Sequence, residues 1–319
     1  MPIISIVIPL YNAEAYISKC LESISRQTFK DFEVVMVDDC SSDNSIALAE
    51  KRCQELNLNY QILCNKKNIG PSLTRKNGIN SSKGQYIVFC DSDDFFNDDH
   101  LEKLIGNSDN LNNDIVFCSY KTVYSSGVEK KHNVTTAIKS LNKKGIIARG
   151  TDSLCCMMVK SKVFEQITFP DIRNGEDMSI IPVIISLSNK YGFSDECSYN
   201  YVYHANTLSK KPNLEIVNIL KESFLYIKQR LETEYPMETE FLAIRNYLYG
   251  GMLNLLKTKA QLRQGRVFYK EFKKMYPLWY RNPYVKTLPS YKKMYLTCVR
   301  LNLFVICKAL SIIHMKLSQ

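Results

Sequence analysis

The chain has 319 residues, enough for one large domain with an appendage or for two modest domains, and its 45% hydrophobic content excludes wholesale disorder. Its eleven cysteines are scattered without a Cys-x-x-Cys pair, and no signal peptide precedes the first apolar run. We therefore expect reduced thiols and a cytoplasmic protein.

The net charge of +10 is unevenly distributed. Residues 1–210 carry a net charge of −2, whereas residues 211–319 hold 19 Lys and Arg against 7 Asp and Glu, a net charge of +12. Such asymmetry indicates a polyanionic partner, either nucleic acid or an anionic membrane surface. No RNA-recognition signature or zinc-ligand spacing accompanies the basic third, so we expect the membrane surface and no nucleic acid.

The first 95 residues alternate between apolar runs typical of strands and segments with helical spacing. The predicted strands are 3–8, 32–37, 60–63 and 86–90, and the predicted helices are 13–27, 45–55 and 70–81. This alternation predicts a doubly wound α/β fold with a mainly parallel sheet flanked by helices.

The remaining chain has a looser pattern. Residues 97–195 predict mixed helices and short strands with a loop at 125–145, and a helical pattern follows Pro212. Residues 294–313 are too often interrupted by charge to span a bilayer. A single helix there would place Lys293, Arg300 and Lys308 on one face, as in an interfacial amphipathic helix or in a core helix with a basic edge in water.

Unusual polar residues follow the predicted strands, where open α/β sheets bind ligands. Asp91, Asp93 and Asp94 end the fourth strand, and such adjacent carboxylates favour either a Mg²⁺ or Mn²⁺ site or a solvated acidic turn. Asp39 follows the second strand and would accept a nucleobase N–H or cap the next helix. Arg75 offers a bidentate fork for phosphate.

These segments together resemble the nucleotide-binding half of the family 2 inverting glycosyltransferases, which have the GT-A fold. The resemblance covers roughly residues 3–210 in the family's order and spacing. The matching segments are Ser5-Ile-Val-Ile-Pro-Leu-Tyr-Asn12, Gln27-Thr-Phe-Lys-Asp-Phe-Glu33, Val37-Asp-Asp-Cys-Ser-Ser-Asp43, Asn68-Ile-Gly70, Arg75 to Gly78, and Gly84 to Asp94. The chain departs from the family at Cys40, where Gly is usual, and at Lys76, where Asn is usual.

The resemblance implies a role for each matching residue. The residues implied to bind the nucleotide sugar are Pro9, Tyr11, Glu14, Asp39, Arg75, Asp91 and Ser92. Asp93 would hold Mg²⁺ or Mn²⁺, and His204, near the family's final strand, would reach the metal or the diphosphate. For His204 a purely structural role is the alternative.

The catalytic base is expected outside these segments. An inverting transfer needs a carboxylate to deprotonate the acceptor hydroxyl while a cation stabilises the departing diphosphate. Glu176-Asp177 matches the family's Glu-Asp motif at a helix start, so we assign Asp177 as the base and Glu176 as acceptor-binding; a plain acidic helix N-terminus is the alternative. Asp152 is expected to line the acceptor cleft.

The sequence thus predicts a GT-A catalytic domain at 1–210 and a basic α-helical extension at 211–319 that associates with membranes. The expected activity is inverting transfer from a UDP-sugar to a saccharide, one linked to undecaprenyl diphosphate for O-antigen, capsule or exopolysaccharide. The expected location is the inner face of the bacterial cell membrane. The alternatives are a sugar nucleotidyltransferase, although residues 9–14 lack its Gly-rich loop, and a non-catalytic partner in polysaccharide assembly.

Overall fold

The computed structural model describes residues 1–173, 175–204, 214–257 and 262–317. The chain divides into two compact units, Met1–His204 and Ala205–Gln319. The first unit is α/β and the second is helical in its described residues.

One mixed sheet forms the centre of the first unit. Its strands are β1 (Ile4–Leu10), β2 (Phe32–Asp38), β3 (Tyr60–Cys64), β4 (Tyr86–Phe89), β5 (Phe95–Phe96), β6 (Ile115–Val123), β7 (Glu129–His132), β8 (Met157–Lys160) and β9 (Tyr191–Val202). Their order is β3-β2-β1-β4-β8-β6-β9-β5, with β7 paired to β6. β1 pairs in parallel with both β2 and β4, β2 pairs in parallel with β3, and β6 pairs in parallel with β9. β5 pairs antiparallel with β9, β7 with β6, and β8 with both β4 and β6.

Helices flank this sheet, as the sequence predicts. They are α1 (Ile17–Ser25), α2 (Ser45–Glu55), α3 (Gly70–Ser81), α4 (His100–Gly106), α5 (Val134–Ile138), α6 (Lys143–Arg149), α7 (Ser161–Phe164) and α8 (Glu176–Leu187). The central strands β2 and β4 are buried along their whole length, which their uninterrupted apolar runs require because helices cover both faces of a parallel sheet. The prediction of a mainly parallel α/β sheet flanked by helices is confirmed.

The second unit is built from helices around an aromatic core. The helices are α9 (Leu214–Leu231), α10 (Pro236–Leu242), a π-helical segment (Ala243–Gly250), α11 (Gly251–Lys257), α12 (Leu262–Met275), α13 (Ser290–Arg300) and α14 (Phe304–Leu317). Short 3₁₀ turns lie at Trp279–Arg281 and Pro283–Thr287. Tyr247, Phe272 and Trp279 are fully or almost fully buried. None of the described helices is long and apolar enough to cross a membrane.

The structure corrects three details of the sequence prediction. The segment 125–145 is not a plain loop, because it contains β7, α5 and the start of α6. The first helix begins at Ile17 rather than residue 13. The backbone N–H of Ala13 bonds to the side chain of Ser45, the first residue of α2, and that of Glu14 bonds to Asp43 in the loop before it. Residues 294–313 do not form one helix: α13 ends at Arg300, and Asn302 adopts a left-handed conformation (φ 59°) before α14.

That break also changes the basic face predicted for residues 294–313. Lys293 and Arg300 lie on α13, whereas Lys308 lies on α14, so no single helix presents all three. β9 ends at Val202, two residues before His204, and residues 205–209 lie outside the described part of the chain.

Candidate active site

The candidate site forms where β1, β2 and β4 end at one edge of the sheet. Leu10, the last residue of β1, is paired with Asp38, the last residue of β2. Val7 is paired with Phe89 at the end of β4. The polar segments that follow these strands therefore meet, as the parallel arrangement predicts.

The loops after β1 and β2 bond to each other. Glu14 accepts hydrogen bonds from the backbone N–H and the side-chain amide of Asn44, each at 3.1 Å. Asp43 accepts from the N–H of Glu14 at 3.1 Å and from the N–H of Ser45 at the start of α2. The carboxylate of Glu14 thus ties two loops together at the edge where we expect the nucleotide.

Asp39 is buried and caps a helix, although not the helix that follows it. Its Oδ1 accepts from the N–H of Ile69 and its Oδ2 from the N–H of Gly70, both at 2.8 Å, at the start of α3. Asn65 donates to Oδ1 as well, at 2.9 Å. The loop after β2 and the start of α3 therefore form one hydrogen-bonded unit, and a nucleobase N–H would share these carboxylate oxygens.

Arg75 lies buried between two carboxylates. Its Nη2 donates to Asp91 at 2.6 Å and its Nη1 donates to Glu176, the first residue of α8. Burial lowers the pKa of Arg75, but the carboxylates of Asp91 and Glu176 raise it well above its usual value, so the guanidinium stays charged. Rather than presenting an open fork to phosphate, Arg75 joins the exit of β4 to the start of α8.

Asp177 lies next to this ion pair. Its Oδ2 accepts a weak hydrogen bond from the N–H of Leu154 at 3.3 Å. Its Oδ1 is buried and accepts no hydrogen bond from the described residues. Burial raises the pKa of Asp177 to about 7, and the nearby charges of Glu176 and Asp91 add to this, while Arg75 opposes it. A carboxylate with a free acceptor atom and a pKa near neutrality is suited to general-base catalysis.

Asp93, in the acidic segment Asp91 to Asp94, lies close to His204. The Nε2 of His204 lies 3.3 Å from the Oδ2 of Asp93. Burial and the charge of Asp91 raise the pKa of Asp93, and His204 opposes this. Across the described ranges no group of three His, Cys, Asp or Glu side chains is arranged to hold a metal. Mg²⁺ is usually held by only one or two carboxylates together with substrate phosphates and water, and Asp93 is such a carboxylate. The role of His204 as a second ligand stays a prediction.

Asp94 and Tyr199 fix the acidic segment in place. Sequence reasoning counted Asp94 only among the three carboxylates after β4, and it gave Tyr199 no role. Tyr199 O–H donates to Asp94 Oδ2 at 2.5 Å, and the N–H of Val202 donates to Asp94 Oδ1 at 2.7 Å. The N–H of Asp94 bonds to the carbonyl of Asp91 at 3.0 Å, which closes a turn. Only spatial proximity reveals this link, since 105 positions separate the two side chains.

The remaining predicted residues occupy the same unit. Pro9 is partly exposed near the end of β1, and Tyr11 is exposed in the following loop. Ser92 lies in the turn between Asp91 and Asp93, and it is partly exposed. Asp152 is exposed in the segment between α6 and β8, and its charge helps to raise the pKa of Tyr120.

Known proteins show the same fold. Staphylococcus aureus TarS 1–349, solved in complex with UDP-GlcNAc, superposes with a TM-score of 0.72 at 20% identity, covering 98% of this chain and 90% of that one. A mannosyltransferase from Pyrobaculum calidifontis, solved with GDP-Man and Mn²⁺, gives a TM-score of 0.55 at 13% identity. The match to TarS confirms the predicted GT-A fold.

Three sequence relatives come from bacteria. Glycosyltransferase GlyA of Streptococcus pneumoniae is 27% identical over 288 residues, 84% of this chain and 40% of GlyA. The minor teichoic acid biosynthesis protein GgaB of Bacillus subtilis is 28% identical over 203 residues, 62% of this chain and 22% of GgaB. The poly(ribitol-phosphate) β-N-acetylglucosaminyltransferase TarS is 34% identical over 135 residues, 42% of this chain.

This chain spans less than half the length of those three relatives. The family model described as glycosyl transferase family 2 matches residues 5–168, which is more than half of the chain and includes β1 to β4 with the acidic turn. The protein therefore belongs to glycosyltransferase family 2.

Proposed function

We propose that the protein transfers a hexose or N-acetylhexosamine from a UDP-sugar to a saccharide acceptor, with inversion, during bacterial surface polysaccharide synthesis. The observation that carries this proposal is Asp177, whose buried Oδ1 has no hydrogen-bond donor among the described residues and lies beside the Arg75–Asp91 pair. The solved complexes of TarS with UDP and UDP-GlcNAc support a UDP-sugar as donor.

In this proposal the acceptor hydroxyl gives its proton to Asp177. The hydroxyl oxygen forms a bond to the anomeric carbon as the bond from that carbon to the diphosphate breaks, so UDP leaves and the configuration inverts. Asp93 and His204 would hold Mg²⁺ or Mn²⁺, which supplies positive charge for the departing diphosphate. Glu176 and Asp152 are placed on the acceptor side.

The nucleotide is proposed to bind at the edge formed by the loops after β1 and β2. Pro9, Tyr11, Glu14 and Asp39 lie in or next to those loops. Asp91 and Ser92 follow β4 beside them and would contact the ribose or the diphosphate. Arg75 acts on the donor through Asp91 in this arrangement, since its guanidinium binds that carboxylate directly.

The acceptor is proposed to be lipid-linked and the protein peripheral at the inner membrane face. Supporting this, α13, α14 and the turn between them expose large apolar side chains, which are Tyr291, Met294, Leu301, Leu303, Val305, Ile306, Ile312 and Ile313. Arg300, Lys286, Lys293 and Lys308 lie on or beside the same helices, and no acid follows Glu271 in the sequence. Exposed apolar side chains together with these cations match an anionic lipid surface.

The activity is tested with the full chain by measuring UDP release from a panel of UDP-sugars, with and without Mn²⁺. We expect metal-dependent UDP release from one sugar, lost in Asp177→Asn and kept in Asp98→Asn, an exposed carboxylate paired with Arg26. Release of pyrophosphate from UTP and a sugar phosphate would instead identify a nucleotidyltransferase. No UDP release together with no UDP binding by calorimetry would refute the proposal and favour a non-catalytic partner.

Membrane binding is tested separately by flotation with vesicles containing phosphatidylglycerol. We expect the full chain to float with these vesicles and Val305→Ser/Ile306→Ser to stay in the soluble fraction. Val267→Ser removes a comparably exposed apolar side chain (52%) from α12 and should float as the wild type does. Equal flotation of all three proteins would refute a role for α14.

A further inference from the structure

A strip of aromatic side chains lies on one face of the sheet, on β6, β7 and β9 and on the residues that directly follow β6 and β9. We define the aromatic strip as Tyr120, Tyr124, His132, Tyr201 and Tyr203. Tyr120 is paired across the sheet with His132 on one side and with Tyr199 on the other, and Thr122 is paired with Tyr201. Because paired residues point to the same face and side chains alternate along a strand, these aromatic residues share the face of Tyr199.

The rings of the strip pack against one another while remaining partly exposed. His132 stacks on Tyr120 with ring centroids 4.4 Å apart and an interplanar angle of 9°. Tyr124 and Tyr203 lie with centroids 4.8 Å apart. The His132 ring is also held by a 3.0 Å hydrogen bond between Nε2 and the hydroxyl of Thr122. All five side chains are of intermediate exposure, so the strip is a fixed surface and not a buried core.

The strip begins at the reaction centre. Tyr199, on the same face, donates its O–H to Asp94, and the N–H of Val202 bonds to the same carboxylate. The end of β9, which carries Tyr201, and Tyr203 just after it therefore lie along the acidic turn and lead to His204, whose Nε2 is 3.3 Å from Asp93.

The pKa shifts of two tyrosines agree with the position of the strip beside the acidic turn. Burial raises the pKa of Tyr201, and the charges of Asp94, Asp93 and Asp91 add to the effect. Burial raises the pKa of Tyr120 to about 12, with contributions from Cys156, Asp152 and Tyr201. The strip thus extends from the acidic turn towards Asp152, which we place on the acceptor side.

The position of the strip separates it from the nucleotide. The loops proposed to hold the nucleotide follow β1 and β2, which lie in one half of the sheet, whereas β6 and β9 lie in the other half beyond β4 and β8. The strip therefore offers its rings to the molecule that approaches from the side opposite the donor.

We propose that the aromatic strip binds the sugar rings of the acceptor by stacking. This inference rests on the proposed glycosyl transfer. A sugar ring presents an apolar face of C–H groups, and a flat aromatic side chain buries that face at low entropic cost. The stacked rings of Tyr120 and His132 and the tilted rings of Tyr124 and Tyr203 form a preorganised platform for more than one sugar residue. The strip thereby aligns the acceptor hydroxyl with Asp177 without taking part in bond making.

The test compares ligand binding in the full chain by calorimetry and by saturation-transfer NMR. The probes are UDP with Mn²⁺, chitotriose and maltotriose. We expect a saccharide probe to bind the wild type and to bind Tyr201→Leu and Tyr124→Leu about tenfold more weakly, with UDP affinity unchanged. Leu keeps apolar bulk, which protects the fold, and Tyr201→Phe keeps the ring and should restore saccharide binding.

The control variant is Tyr60→Ala, a partly exposed tyrosine on the edge strand β3, which should bind every probe as the wild type does. If the Leu variants bind the saccharides as tightly as the wild type, or if the wild type binds none of them at 10 mM while still binding UDP, the strip is not the acceptor platform. If the wild type does not bind UDP, the proposed function itself is refuted.

Discussion

Arg75 and Glu176 form a buried ion pair although 101 positions separate them in the chain. Because the same guanidinium also binds Asp91, it links the exit of β4, proposed to contact the donor, to the helix that carries the proposed base. The precise placement of Asp177 relative to the donor therefore depends on a residue that need not touch the substrate.

The first prediction concerns the stability of this network. Arg75→Met should lower the free energy of unfolding by about 3–5 kcal/mol, because removing one partner leaves Asp91 and Glu176 near each other without a compensating charge. Urea unfolding followed by circular dichroism measures this difference. Arg26→Met removes the exposed pair with Asp98 and should cost less than about 1 kcal/mol. A similar cost for the two variants would contradict the importance assigned to the buried pair.

The second prediction concerns the pH dependence of catalysis. A base must be ionised to accept a proton, and burial raises the pKa of Asp177 to about 7. The kcat/KM for transfer should therefore rise with pH up to about 7 and then level off. Asp177→Asn should reduce kcat by about 10²–10⁴-fold. A wild-type profile that is flat from pH 5 to pH 8 would argue against Asp177 as the base.

The raised pKa of Asp177 also predicts how the free energy of unfolding depends on pH. Between its ordinary pKa of 3.8 and its folded pKa of about 7, Asp177 binds more protons in the folded state than in the unfolded state. Its contribution to the free energy of unfolding is therefore fully present below about pH 4 and is lost as pH rises to about 7. Asp177→Asn should be less sensitive to pH over this window in chemical denaturation. Parallel curves for the two proteins would contradict the prediction.

The third prediction concerns the metal. Mn²⁺ together with UDP should raise the melting temperature of the wild type, because ligands that bind the folded state stabilise it. Asp93→Asn and His204→Ala should each require more than about tenfold higher Mn²⁺ for the same shift, since even indirect partners of a metal typically matter at that level. Asp98→Asn should behave as the wild type. An unchanged Mn²⁺ requirement in both site variants would exclude them as ligands.

The first four strands, and the presence of polar residues at their ends, are predictable because they depend on local pattern. An apolar run such as residues 86–89 forms a strand, and polar residues directly after it necessarily lie at the sheet edge. The partners across the fold are not predictable in this way. Nothing in the sequence near Arg75 indicates Glu176, and nothing near Asp94 indicates Tyr199, because these contacts arise from the insertion of β8 between β4 and β6 and from the path of β9.

The fourth prediction concerns Gly84, which precedes β4. A Cβ atom there would lie 2.4 Å from the backbone nitrogen of Ser5 and 2.7 Å from its Oγ, which also accepts the N–H of Gly84. Gly84→Ala should therefore destabilise the fold by about 1–3 kcal/mol through forced backbone movement. Gly106→Ala, at the end of α4, meets no atom within 4 Å and should be neutral or slightly stabilising. Thermal unfolding of the two variants distinguishes these outcomes.

The fifth prediction concerns Cys40, where the family usually has glycine. Its φ of 66° lies in the left-handed region, which is unfavourable for a residue with a Cβ atom. Cys40→Gly should relieve that strain, although glycine also raises the conformational entropy of the unfolded chain. Together these effects should raise the free energy of unfolding by about 0 to 1 kcal/mol. Cys40→Val should destabilise, because a β-branched side chain tolerates this conformation poorly. Both variants leave every side chain of the site in place, so UDP release by Cys40→Gly should stay near the wild-type rate. If Cys40→Gly is instead less stable than the wild type, the thiol itself stabilises the loop.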